Sequence, residues 1–144
     1  MAKKVLVADD HAETEALIRD ALTPHGYEVI EAGNGVECLE RVEESEPDLL
    51  ILDVHMPVLN GFDALRLLRK RAHDSLPVII LSGRGDLSDV RKGWKRGADI
   101  YLTKPVRVGA VVAAVRWLLR EEEGEALTAP GRKGLLSAVV ASDL

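Results

Sequence analysis

Five short apolar runs dictate what this chain can fold into. Residues 5–8 (VLVA), 49–52 (LLIL), 78–81 (VIIL) and a weaker 100–102 (IYL) show no alternation with polar residues; 27–32 (YEVIEA) is a more mixed fifth candidate. A run without alternation reads as a strand covered on both faces, which is the condition inside a parallel sheet. The mixed run suits an outer strand. Between the runs lie segments of helical period: Leu17, Ile18, Ala21 and Leu22, ended at His25-Gly26; Val36, Leu39 and Val42, closed before Pro47. Further stripes are Ala64, Leu65, Leu67 and Leu68; then Leu87, Val90 and Trp94; and last Val108, Val111, Val112, Val115, Leu118 and Leu119. The pattern predicts βα repeated five times over residues 3–120: an α/β fold with a parallel sheet, right-handed crossovers and helices on both faces.

Composition narrows the function. The chain has 144 residues, enough for one ordinary domain, and a formal net charge of −5. A nucleic-acid binder needs a surplus of Lys and Arg to neutralise phosphates, so direct contact with DNA or RNA is not expected. With 47% hydrophobic and 30% charged residues the chain is neither disordered nor membrane-spanning in character. Cys38 is the single cysteine, which rules out an intrachain disulfide, and Val36, Leu39 and Val42 around it suggest an inert core position. Lys3-Lys4 and the following apolar run imitate a secretory signal for a few residues only, because Asp9 and Asp10 end it. A cytoplasmic protein with no membrane segment is the expectation.

In a parallel sheet of this kind the working groups gather outside the carboxyl ends of the strands. The first run ends in Asp9-Asp10, the third in Asp53, the fourth in Ser82-Gly83, and the fifth is followed by Lys104-Pro105. Three carboxylates, a hydroxyl and an ammonium would therefore converge on one edge. Carboxylates that close repel one another unless a cation sits among them. An all-oxygen set favours a hard ion such as Mg²⁺, which takes one or two carboxylates and keeps room for a phosphate oxygen. Asp53 is the expected nucleophile, since a carboxylate needs no general base and aspartyl phosphate is an established covalent intermediate. Lys104 and the cation would stabilise the charge of the transferring group, with Ser82 donating to a further oxygen. The plainer alternative is an acidic loop edge of solvated side chains, and Lys104 taken singly reads as a surface lysine.

These residues carry a resemblance. VLVADD at 5–10, LLILDVHMPVLNGFDALRLLR at 49–69, VIILSG at 78–83 and GADIYLTKPV at 97–106 resemble the receiver domain of two-component response regulators. The resemblance covers residues 3–120. It implies a flavodoxin-like doubly wound sheet in the order 2-1-3-4-5, and a signalling phosphoacceptor that promotes only its own phosphotransfer and dephosphorylation. Asp53 would accept a phosphoryl group from a sensor histidine kinase or a histidine phosphotransfer protein. Asp10, Asp53 and the backbone carbonyl of His55 would bind Mg²⁺, with Asp9 acting directly or through water. Lys104 would pair with the phosphoryl group, and the Lys104-Pro105 peptide would be cis. Ser82 and then Tyr101 would move inward and alter the face made by the fourth helix, fifth strand and fifth helix. That face would be read by a downstream partner or output domain, or by a second copy of the chain. The side chains of His55 and Arg84 would modulate the phosphoryl lifetime. On the residues alone, Tyr101 equally reads as an amphipathic strand-end residue with a packed ring and a wet hydroxyl.

Some features depart from or exceed this pattern. Gly93 stands where the fourth helix usually carries alanine, Trp94 where a smaller apolar residue is usual, and Trp117 lies off the last helical stripe, on the side expected to be exposed. Residues 121–144 hold much of the net negative charge and form a separate tail: a frayed end, a helix extension, a linker or a partner-docking segment. Three other classes compete. A phosphorylation-independent scaffold of the same fold would be expected to lose some of the five site positions. A metal-dependent phosphohydrolase would carry D-x-D-x-T after the first strand, where this chain has Asp9-Asp10-His11-Ala12. A flavin-binding fold would need a Ser/Thr/Gly-rich first loop, which is lacking.

Overall fold

Each apolar run of the sequence is a strand of one parallel sheet. A computed structural model describes residues 2–71, 73, 75–83 and 97–120. The strands are β1 (Lys4–Ala8), β2 (Glu28–Ala32), β3 (Leu49–Asp53), β4 (Val78–Ser82) and β5 (Ile100–Thr103), in the order β2-β1-β3-β4-β5. All four pairings are parallel. The expected sheet and its order are therefore observed. β3 and β4 are buried at every position, whereas the mixed run forms the edge strand β2, three of whose five residues are half-buried. That is the physical reason the run is mixed: an edge strand has one open side.

The described helices are α1 (Ala12–Leu22), α2 (Gly35–Ser45), α3 (Gly61–Lys70) and a last helix, Val108–Leu118. α1 packs against the last helix and α2 against α3, so both faces of the sheet are covered. Asn34 and Asn60 cap α2 and α3, their side-chain oxygens accepting from the Glu37 and Asp63 N–H groups at 2.8 and 2.9 Å. α1 stops at Leu22, and a 3-10 turn (Thr23–His25) carries the chain to Gly26 at φ 90°. The turn needs glycine there because a left-handed φ costs other residues energy.

Three residues of the expected core stripes face solvent instead. Leu17 is 53% exposed, because α1 buries Glu15, Ile18 and Leu22 and leaves its neighbour to the side. Val36 and Val108 lie in first turns, where a helix has not yet met the sheet, and are exposed as well. Cys38 is buried as expected, and burial pushes its thiol up to about 12. Trp117 is half-buried rather than exposed, with the Arg120 guanidinium stacked over its ring. The expected fourth helix, with Gly93 and Trp94, and the tail 121–144 lie outside the described residues. No described helix is long and apolar enough to cross a membrane.

At the amino ends of β4 and β5 one side chain ties three segments together. The Arg69 guanidinium, at the end of α3, donates to the carbonyls of His73 (2.7 Å), Leu76 (2.8 Å) and Gly97 (2.6 Å). At the opposite end, the loop after Asp53 is folded tightly back. The Val54 N–H donates to the Leu81 carbonyl and the Gly61 N–H to the Val54 carbonyl. A Cβ on Gly61 would overlap the Asp53 carbonyl, so only glycine lets α3 start so close to β3. Within this loop Val58 has φ 71° and is 81% exposed, and the Leu59 N–H reaches back to the Pro57 carbonyl at 2.7 Å. A β-branched residue in such a γ-turn is strained.

The two positions predict opposite effects in urea unfolding. Val58→Gly is expected to raise stability by about 1 kcal/mol through strain relief. Gly61→Ala is expected to lower it by about 2 kcal/mol or more through overpacking against β3.

Candidate functional site

The register of the sheet brings the carboxylates together. Ala8 pairs with Leu52 across β1 and β3, so the next residues, Asp9 and Asp53, stand side by side at the carboxyl edge. Both are buried, at 1% exposure. Lys104, just after β5, reaches over the edge: its Nζ lies 3.0 Å from Asp9 Oδ2 and 3.3 Å from Asp53 Oδ1. The Lys104 N–H donates to the Ser82 carbonyl at 2.6 Å, and the Lys104-Pro105 peptide is cis. Ser82 ends β4 and is fully buried. Tyr101 on β5 is also fully buried, hydroxyl included, so the reading of a wet strand-end hydroxyl does not hold. Asp10 is exposed at the mouth, and His55 is exposed two residues beyond Asp53. Arg84 lies outside the described residues.

The charges of this pocket do not balance. Burial, then the nearby Asp9 carboxylate, pushes the Asp53 carboxyl up to about 6, although Lys104 and the His55 N–H pull it down. Burial pulls the Lys104 ammonium down, but hydrogen bonding to Asp9 and the charges of Asp53 and Asp9 outweigh it, and the net shift is upward. One ammonium thus serves two buried carboxylates, with a third at the rim. Among the described residues Asp53 Oδ2 is buried with no hydrogen-bond partner. A buried, unpartnered carboxylate oxygen is costly and calls for a cation. Ligand atoms of Asp9, Asp10, His11 and Asp53 all lie within 4.8 Å of one another. The oxygen-rich donor set fits a hard divalent ion such as Mg²⁺.

Two residues of this neighbourhood escaped the sequence reading. The His11 ring stands against both leading carboxylates, its Nδ1 3.1 Å from Asp9 Oδ1 and 3.0 Å from Asp10 Oδ1. The only signal was its place directly after Asp9-Asp10. Glu15 is a carboxylate on the buried face of α1; burial and the charges of Glu31 and Asp9 push it up to about 7. Its register with Ile18 and Leu22 (i, i+3, i+7) was legible, but a charged residue is read by default as solvated.

Comparison with known proteins agrees with this geometry. The family model of the response regulator receiver domain matches residues 5–116. The chain belongs to that family: it is a receiver domain of the two-component response regulators, a signalling module. Among curated relatives it is similar to the response regulator MprA of Mycobacterium bovis, 38% identical over 125 residues, covering 87% of this chain and 54% of that protein. It is also similar to the probable transcriptional regulator ycf27 of Cyanophora paradoxa, 36% identical over 132 residues, covering 92% and 54%. The chain thus spans about half the length of the curated relatives it matches. Among solved structures the Francisella response regulator 1452 receiver domain superposes with a TM-score of 0.78 at 33% identity, covering 84% of this chain and 99% of that one. The Vibrio cholerae chemotaxis protein CheY4 gives 0.78 at 28% identity, covering 83% and 100%.

Glu15 makes a signed prediction. Its folded value of about 7 lies above the ordinary 4.5, so its contribution to stability is fully present below pH 4.5 and is lost as pH rises through 7. Glu15→Gln is expected to be more stable than the parent by about 2 kcal/mol at pH 8.5, with the gap closing toward pH 5. Urea titrations across that range check it, and a pH-independent gap would contradict it.

Proposed function

We propose that this chain is a phosphorylation-switched receiver that takes its phosphoryl group on Asp53 from the phosphohistidine of a sensor histidine kinase or a histidine phosphotransfer protein. The observation that carries the reading is the buried Asp53 carboxylate, with Oδ1 held by Lys104 and Oδ2 unpartnered. A free carboxylate oxygen attacks phosphorus, the phosphorus–nitrogen bond of the donor breaks, and the leaving imidazole takes up a proton. An aspartyl phosphate remains. Such a transfer asks chiefly for positioning and for stabilisation of the equatorial oxygens.

Asp10, Asp53 and the His55 carbonyl would hold Mg²⁺, with Asp9 contributing directly or through water. The ion supplies charge neutralisation for the incoming phosphoryl oxygens. Lys104 is tethered through its own N–H to the Ser82 carbonyl, so its ammonium is presented to the same oxygens from the β5 side. The Ser82 hydroxyl donates to a further oxygen, and Tyr101, buried against β4, belongs to the relay that alters the β5 face. Partners read that face: a downstream protein, an output domain or a second copy. The domain runs from residue 3 to 120, with 121–144 as a linker or docking tail. The chain acts on no substrate other than itself and works in the cytoplasm, where such kinases present their phosphohistidine. DNA contact is assigned to no residue of this chain.

Two measurements test the reading. Incubation with Mg²⁺ and a small phosphodonor or a phosphorylated kinase, followed by intact mass, is expected to show one acid-stable, base-labile phosphoryl adduct that is lost in Asp53→Asn. Absence of any adduct in a folded sample would overturn it. In the same assay the double variant His55→Ala, Arg84→Ala is expected to change the autodephosphorylation rate, and an unchanged rate would remove both side chains from the site.

A further inference from the structure

The family reading assigns the metal pocket oxygen ligands only, yet an imidazole nitrogen stands within it. His11 Nδ1 lies 3.1 Å from Asp9 Oδ1 and 3.0 Å from Asp10 Oδ1, and its ligand atom belongs to the same 4.8 Å cluster as that of Asp53. In this structure these are hydrogen-bonding contacts of the ring; adjacent ligands of an octahedral ion bound at about 2.1 Å are also separated by about 3.0 Å, so the ring already stands at the distance of a neighbouring corner. The backbone supports the placement, since the His11 N–H donates to Asp9 Oδ1 at 2.9 Å and fixes the start of the side chain against that carboxylate. The ring itself is 63% exposed and makes no cap for α1, so helix capping does not explain where it sits. An independent sign that the pocket suits a cation is Asp53 Oδ2, buried and unpartnered beside it.

We infer that His11 is a further metal ligand through Nδ1, which makes this pocket a mixed nitrogen–oxygen site whose imidazole shifts its preference from Mg²⁺ toward borderline divalent ions such as Mn²⁺ or Co²⁺. The inference rests on the pocket being the metal site of the receiver reading and adds one ligand to it. Imidazole suits transition ions, whereas Mg²⁺ is satisfied by carboxylate, carbonyl and water. Against the carboxylates Nδ1 carries the hydrogen of the ring; as a ligand it offers its lone pair, and the hydrogen resides on Nε2. His11 therefore separates the two classes of ion: its removal weakens a transition ion and leaves Mg²⁺ nearly unchanged.

The test uses the full chain with the metal alone. Mg²⁺ and Co²⁺ affinities are measured by calorimetry for the parent, His11→Ala, His11→Gln and Asp10→Asn, and the Mn²⁺-loaded proteins are examined by pulsed electron paramagnetic resonance for nitrogen coupling. The expected result is nitrogen coupling in the parent that vanishes in both His11 variants and persists in His55→Ala. The Co²⁺ affinity is expected to fall about 10- to 100-fold in the His11 variants, with Mg²⁺ affinity changed less than about twofold. His11→Gln keeps a hydrogen-bond donor near the carboxylates, so an equal loss there excludes a role limited to hydrogen bonding. Mn²⁺ bound by the parent with no nitrogen coupling, or coupling that survives in His11→Ala, overturns the His11 assignment alone. Failure of the parent to bind either ion, or binding untouched by Asp10→Asn, overturns the pocket itself.

Discussion

Two carboxylates on neighbouring strands, with one ammonium laid across them, set the terms for the rest of the molecule. Asp9 and Asp53 are adjacent because β1 and β3 pair in parallel at that register, and neither is reached by bulk water. A single unit-charge contact at about 4 Å is worth on the order of 4 kcal/mol in a partly buried setting before desolvation is counted. Lys104 makes two such contacts from the end of β5, two places along the sheet from β3 and three from β1. It therefore links β1, β3 and β5 by electrostatics, where hydrogen bonding links only neighbours. Because one positive charge cannot neutralise two buried negative ones, the edge is left with an appetite for a cation.

The loop that follows Asp53 shows how backbone is used to hold that edge. Glycine at position 61 lets α3 begin against the strand that carries Asp53, and Gly35 in turn admits the carbonyl of Leu59 against α2. Asn60 and Asn34 cap the two helices from the ends of these loops. The strained γ-turn at Val58 lies between them. Strain confined to a loop beside a reactive group is tolerated because the surrounding packing leaves the chain no relaxed alternative.

Much of this is legible in the amino-acid sequence. The strands announced themselves because parallel strands covered on both sides cannot alternate, and the mixed run at 27–32 marked the edge for the same reason. The site was legible because the rule about carboxyl ends converts a list of strand-terminal residues into one location; Asp9, Asp10, Asp53, Ser82 and Lys104 all stand there. What the sequence hid depends on three-dimensional neighbours. Leu17 and Ile18 are equally apolar, and only the docking angle of α1 decides which is buried. Glu15 looked solvated because a charged side chain is solvated by default, and only the fold sets it, buried, near Glu31 and Asp9. His11 had no partner until the fold turned it back on Asp9 and Asp10.

The Arg69 clamp bears on how such an edge is held. Its three hydrogen bonds fasten the end of α3 to the entrances of β4 and β5, at the far end of the strands from the charged residues. β4 is five residues long, so about 17 Å separates the fastened end from the charged one. Ser82, at the far end of β4, and Lys104, just beyond β5, stand beside Asp53 on the side of the sheet away from that clamp. The same two strands thus carry a backbone-fastened end and a charged end, and the two are kept a full strand length apart.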